Sequence, residues 1–125
     1  MTKSSSQFIH NKPFTIGVEE EYMLCDPETG NLINRADEIM NRLTEDTKER
    51  YSYELILSEI EVNTSVCKTV AEAMEEVMSL RNHTKVLGET LGYRIGISGT
   101  HPTAICKDQQ FVKNKSYQWV ADQLN

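Results

Sequence analysis

No apolar run in the 125 residues approaches the roughly 18 positions needed to cross a bilayer, so a membrane partner is not expected. The opening residues, Met1 to Gln7, are followed by no apolar core of the kind a signal peptide carries, and residues 1–13 read as a disordered lead-in to a cytoplasmic protein. Cysteine is scarce and odd in number: Cys25, Cys67 and Cys106 are widely spaced, which suits free thiols in a reducing compartment and excludes a disulfide scaffold or a zinc cluster. Three histidines, His10, His83 and His101, are too sparse for a histidine-rich metal site. Bases are also in deficit, 13 against 19 acids, for a formal net charge of -6. A nucleic-acid backbone demands the opposite balance, so no nucleic-acid partner is expected. Apart from the serines near the start, no linker, repeat or low-complexity tract divides the chain, and its length allows one domain or less.

What is abundant is carboxylate, and it is unevenly placed. Glu19 to Glu61 holds 13 of the 19 acids with only 4 bases. The first cluster lies in Thr15 to Leu24, an apolar stretch with Glu19, Glu20 and Glu21 at its centre. Read as a strand, it puts Ile16, Val18, Glu20, Tyr22 and Leu24 on one face and Gly17, Glu19, Glu21 and Met23 on the other. Glu19 and Glu21 then point the same way, about 7 Å apart, and repel. Two readings fit: a hard divalent cation, Mg²⁺ or Mn²⁺, held between them, or an edge strand whose charges face water.

The second acidic stretch, Tyr53 to Thr64, alternates from Leu57 onward, with Leu57, Glu59, Glu61 and Asn63 on one face and Ser58, Ile60, Val62 and Thr64 on the other. Paired with the first strand, it brings Glu61 close to Glu21. Glu54 lies seven residues before Glu61, the wrong parity for one straight strand, and joins them only if the backbone turns or bulges in between. Four carboxylates on one sheet face are costly without a cation.

Between and after these stretches the expected elements are conventional. Asp26 to Asn31 is a turn, Leu32 and Ile33 return as a short antiparallel strand, Ile39, Met40 and Leu43 mark a short helix, and Thr44 to Arg50 is a loop or a frayed turn. Thr69 with Glu72 forms a capping box ahead of a long helix, whose stripe of Val70, Met74, Val77, Leu80, Thr84, Leu87 and Leu91 packs on a sheet and which Gly92 ends. Tyr93 to His101 is a third strand stopped by Pro102, and His101 at its end is either a substrate contact, a structural hydrogen-bonding residue or a free surface side chain. Asp108 to Val112 and Ser116 to Leu124 read as helical, anchored by Phe111, Tyr117, Trp119, Val120 and Leu124.

Gly17 to Tyr22, Glu54-Leu55, Glu59 to Cys67 and the run Gly99-Thr100-His101-Pro102 together resemble the carboxylate-amine ligase branch of the glutamate-cysteine ligase family, from about Phe14 to the end of the chain. The resemblance implies an α+β domain, part of a glutamine synthetase-like fold with a largely antiparallel sheet whose open face holds divalent metals and ATP. It also implies joining of a carboxylate to an amine, forming an amide or γ-glutamyl bond through an acyl phosphate. By the same resemblance Glu19 is a ligand of one metal and Glu21, Glu54 and Glu61 are the protein ligands of the other, with Mg²⁺ or Mn²⁺ bound. His101 stands near the substrate. At Glu59 the branch more often carries glutamine.

Members of that family are about three times as long and continue with a His-Val-His-Val-Gly type strand, further acidic ligands and phosphate-holding bases. Residues 14–125 therefore match the N-terminal part of a catalytic domain, and no catalytic residue is assigned within them. The expected partners are ATP and a small amino acid or carboxylate with an amine. A second copy of the chain or a complementing C-terminal fragment is expected to cover its open strand edge. For the chain standing alone, a non-catalytic module that binds a divalent metal or serves in oligomerisation is the competing function.

Overall fold

A computed structural model describes residues 13–124, so most of the expected lead-in, residues 1–12, lies outside the described residues. Four strands form one antiparallel sheet: β1 (Glu19–Cys25), β2 (Tyr51–Tyr53), β3 (Glu59–Asn63) and β4 (Arg94–Gly96), in the order β2-β3-β1-β4. Helices α1 (Ala36–Met40), α2 (Glu45–Lys48), α3 (Val70–Leu91) and α4 (Lys115–Leu124) complete an α+β architecture.

The period of two along β1 and β3 decides which face is covered. Tyr22 and Leu24 of β1, Ile60 and Val62 of β3 and Tyr51 of β2 are buried in one cluster with Ala36 and Ile39 of α1 and with Tyr93. Leu80, Leu87 and Leu91 of α3 pack against the same cluster. Glu20 shares this covered face and is kept there by Arg81 of α3, whose Nε donates to Oε2 at 2.8 Å while the Tyr22 hydroxyl donates to the same oxygen at 2.6 Å. Those partners hold the Glu20 carboxyl below the usual range, and burial with the Glu20 charge pushes the Tyr22 phenol up. Glu19, Glu21 and Met23 take the opposite face, as the strand period predicts.

α3 begins as its sequence dictates, with the Thr69 hydroxyl accepting from Glu72 N–H at 3.1 Å. The Glu72 carboxylate, however, accepts from Lys68 N–H, one residue before the cap, and so closes a wider loop than a standard box. The helix ends at Gly92, which adopts φ 80°, a conformation that disfavours any side chain. Its buried line is Ala73, Val77, Thr84 and Gly88. Val70 and Met74, expected in the packed stripe, are exposed because small residues let the helix sit close to the sheet and rotate them out.

Several boundaries differ from the sequence expectation. Leu32 contributes a single bridge to Cys25 and no strand. Thr44 to Arg50 contains the short helix α2, closed by a Thr44–Thr47 capping box. The third strand is only Arg94–Gly96, since its pairing with β1 stops at Met23. Asp108 to Val112 is not helical: a 3₁₀ turn over Cys106–Asp108 leads into an extended segment, in which Phe111 bridges Ile56. Leu57 packs against the core cluster and does not join the acidic face, so the alternation of β3 starts at Glu59.

Gly88 is where α3 approaches β4 most closely, and a Cβ there meets Tyr93 O at 3.1 Å and Ile95 Cδ1 at 3.3 Å. A branched side chain has to push the helix off the sheet. Gly88→Val is expected to destabilise the protein by about 1–3 kcal/mol, read as a lower urea midpoint with an unchanged slope.

Candidate metal centre

The open face of the sheet is built by register. In the β1–β3 ladder Glu21 lies directly opposite Glu61, Glu19 opposite Asn63 and Met23 opposite Glu59. In the neighbouring β2–β3 ladder Ser52 lies opposite Glu61. The chain leaves β2 at Tyr53, turns through residues 54–58 and returns as β3, so Glu54 stands at the start of a turn. That turn supplies the reversal which a single straight strand lacks. Glu21, Glu54 and Glu61 each present a carboxylate oxygen, and these three atoms lie within 4.8 Å of one another.

The surroundings treat the three acids differently. Glu61 Oε1 accepts from Ser52 Oγ at 2.8 Å and from Asn63 Nδ2 at 2.7 Å. Those two donors, Asn63 foremost, hold the Glu61 carboxyl below its usual range and occupy one of its oxygens. Glu54 is pushed the other way, first by burial and then by the neighbouring Glu61 and Glu21. Glu59 is also raised, by burial and by the Glu21 charge. Glu21 itself is exposed. Burial and like charge thus disfavour the charged form of Glu54, while Ser52 and Asn63 favour that of Glu61 and aim it.

Three convergent carboxylates, one of them oriented by two side-chain donors, form an all-oxygen set of the kind that hard divalent cations take. The donors thus fit Mg²⁺ or Mn²⁺, held by Glu21, Glu54 and Glu61. Glu19 is on the same face of β1 but outside that group; it lines a cleft of about 370 Å³ with Gly17, Val18, Asn63 and Thr64. His101 is not among the converging side chains. Thr103 N–H donates to its Nδ1 at 3.3 Å, so its Nε2 carries the proton and donates to Gly30 O at 2.9 Å, tying the 101–103 loop to the turn after β1.

Three neighbours of the site were not singled out from the sequence. Ser52 and Asn63 orient Glu61, and the cross-strand partner of Glu61 becomes legible only once the β2–β3 hairpin is known. Tyr117 of α4 donates its hydroxyl to Tyr53 O at 2.7 Å. Burial, and then the charges of Glu54 and Glu61, push its phenol up, which places it beside the acidic group. Its sequence signal was only that of an apolar helix anchor.

Comparison with known proteins follows the same lines. The model of glutamate-cysteine ligase family 2 matches residues 15–125. A Rubrobacter xylanophilus protein named putative glutamate–cysteine ligase 2-1 is 39% identical over 114 residues, covering 91% of this chain and 30% of that protein. Proteins named putative glutamate–cysteine ligase 2 from Herpetosiphon aurantiacus and Roseiflexus castenholzii are 37% and 35% identical over 112 residues each, covering 90% of this chain and 29% and 30% of theirs. The chain thus spans about 30% of the length of the curated relatives it matches. A sheet carrying its acids on one open face, and a family match running through both acidic strands, lead to one assignment: the chain belongs to glutamate-cysteine ligase family 2.

Proposed function

We propose that the chain is the metal-binding N-terminal portion of an ATP-dependent carboxylate-amine ligase that forms an amide or γ-glutamyl bond. The observation that carries this reading is the convergence of Glu21, Glu54 and Glu61 within 4.8 Å, in a chain of this family. A bound Mg²⁺ or Mn²⁺ supplies charge neutralisation for the phosphates of ATP. In the proposed reaction a substrate carboxylate oxygen takes the γ-phosphoryl group and ADP leaves; the amine nitrogen then attacks the acyl carbon and inorganic phosphate leaves. The residues described here bind and orient. Glu61 stays ionised through Ser52 and Asn63, Glu54 and Glu21 complete the donor set, Glu19 serves a second cation, and His101 shapes the substrate side through the turn it anchors. The proposed setting is the cytoplasm, consistent with the three free thiols. Standing alone, the 125 residues act as a divalent-cation module, and a second copy or the C-terminal part of the ligase completes the sheet.

Calorimetric titration tests the cation. Mn²⁺ is expected to bind the chain, with affinity reduced at least about tenfold in Glu61→Gln; equal binding by the two proteins would sink the assignment. Removal of metal has a signed consequence as well. In chelator, Glu54→Gln is expected to melt about 3–6 °C above the parent, because the amide removes one of three crowded like charges. With saturating Mn²⁺ the order reverses, since only the parent gains the full binding energy.

Catalysis is tested by grafting. The 125 residues alone are expected to release no ADP from ATP with any amino-acid pair. Installed in place of the corresponding segment of the Rubrobacter xylanophilus relative, they are expected to support ADP release that depends on glutamate and cysteine and is lost in Glu61→Gln. A folded graft that is silent, or one whose ADP release ignores the Glu61 change, contradicts the proposed ligase role.

A further inference from the structure

Glu54 differs from the other two acids in having no strand to hold it. Glu21 and Glu61 are fixed by the ladder that pairs them, whereas β2–β3 pairing ends at Tyr53 opposite Ile60, one residue before Glu54. Near its head, Leu55 N–H donates to Glu54 Oε2 at 3.2 Å, and the Glu54 carboxyl also meets that of Glu61. The turn over residues 54–58 is held on one side by the Leu24 and Ala36 N–H groups, which donate to Ser58 O and Leu57 O, and on the other by a segment more than fifty residues away. Leu57 N–H donates to Gln110 O at 2.8 Å, Val112 N–H donates to Leu55 O at 3.0 Å, and Ser58 Oγ donates to Gln109 Oε1 at 2.6 Å. The last bond of this series is the one nearest the acids, the Tyr117 hydroxyl on Tyr53 O. That carbonyl belongs to the peptide joining Tyr53 to Glu54, so the hydroxyl sets the tilt of the plane from which the Glu54 side chain departs.

We infer that Tyr117 is a positioning residue of the cation site, pinning the Tyr53–Glu54 peptide so that the Glu54 carboxyl stays within reach of Glu21 and Glu61. The phenol feels the charges of both Glu54 and Glu61, in keeping with a place at the rim of the group. α4 presents it there because Asn114 starts the helix, its carbonyl accepting from Gln118 N–H at 2.8 Å. Loss of the hydroxyl leaves the ring as packing and frees the peptide, and a ligand with three rotatable bonds then has to be ordered when the cation binds. Segment 109–117 is on this view a brace for one ligand, and the proposal rests on the cation reading of the preceding subsection.

The test is a double-mutant cycle in the full 125-residue chain, read by Mn²⁺ titration. Tyr117→Phe is expected to weaken Mn²⁺ about tenfold, the scale of outer-sphere substitutions, while its melting temperature in chelator stays near that of the parent. In the Glu54→Gln background the same change is expected to do nothing further, because the residue it acts through is gone. Equal additional loss in that background, or parent-like affinity in Tyr117→Phe alone, overturns the inference. A second measurement needs no variant: Mn²⁺ added to the parent is expected to broaden the ring NMR signals of Tyr117 before those of Tyr51, whose hydroxyl faces Thr84 beneath α3. Simultaneous broadening overturns the placement. Failure of the parent to bind Mn²⁺ at all instead strikes the cation reading, so the two failures are distinct.

Discussion

Glu21 and Glu61 are held face to face by the β1–β3 ladder, and like charges placed directly opposite in an antiparallel pair repel. The register has no freedom to relieve this. A slip of one residue would turn Tyr22, Leu24, Ile60 and Val62 out of the core and the glutamates into it. Burial of those four side chains outweighs the repulsion, so the covered face fixes the open one. The acidic face is therefore a consequence of the core, and it persists whether or not a cation is bound.

The same strand shows how one sequence of three glutamates is divided into two chemistries. Glu20 points under α3, where the Arg81 guanidinium and the Tyr22 hydroxyl satisfy it. It is consumed structurally: its carboxylate ties the helix to the central strand, with the Arg81 side chain half exposed and the Glu20 side chain mostly covered. Glu19 and Glu21, one residue to either side, have no comparable cation among the described ion pairs. Both are exposed, so water or a bound cation can balance their charge. That asymmetry divides one acidic run between a structural ion pair and an open face.

How much of this was legible in the sequence follows from the range of the interactions involved. The strand faces, the approach of Glu61 to Glu21, the Thr69 start and the Gly92 stop of α3 all rest on period or on cap chemistry, which act over a few residues, and all are found. The Arg81–Glu20 pair joins positions 61 apart and left no local mark. Val70 and Met74 were placed inside because a stripe of large apolar residues was assumed to pack. The structure instead buries the small Ala73 and Gly88, for which close approach and not hydrophobicity is the signal. Asp108 to Val112 reads as helix with Phe111 as an apolar anchor, but its extended form is set by Leu55 and Leu57, to which its backbone is bonded. The convergence of Glu54 rests on the family resemblance alone, since parity excludes it from one straight strand and leaves it open wherever the backbone turns.

The open parity at Glu54 has a physical meaning for the site. Two of its acids ride on a ladder whose geometry is secured by the core, and the third rides on a turn secured by segment 109–112 and the Tyr117 hydroxyl. Closing such a contact spends chain entropy over more than fifty residues, and it forms only once the sheet exists to receive it. Glu21 and Glu61 are thus set by strand pairing, and Glu54 by contacts that come from the far end of the described chain. On the proposed reading, the affinity of the face for a cation depends on how firmly a distant helix holds one peptide plane as well as on the acids themselves.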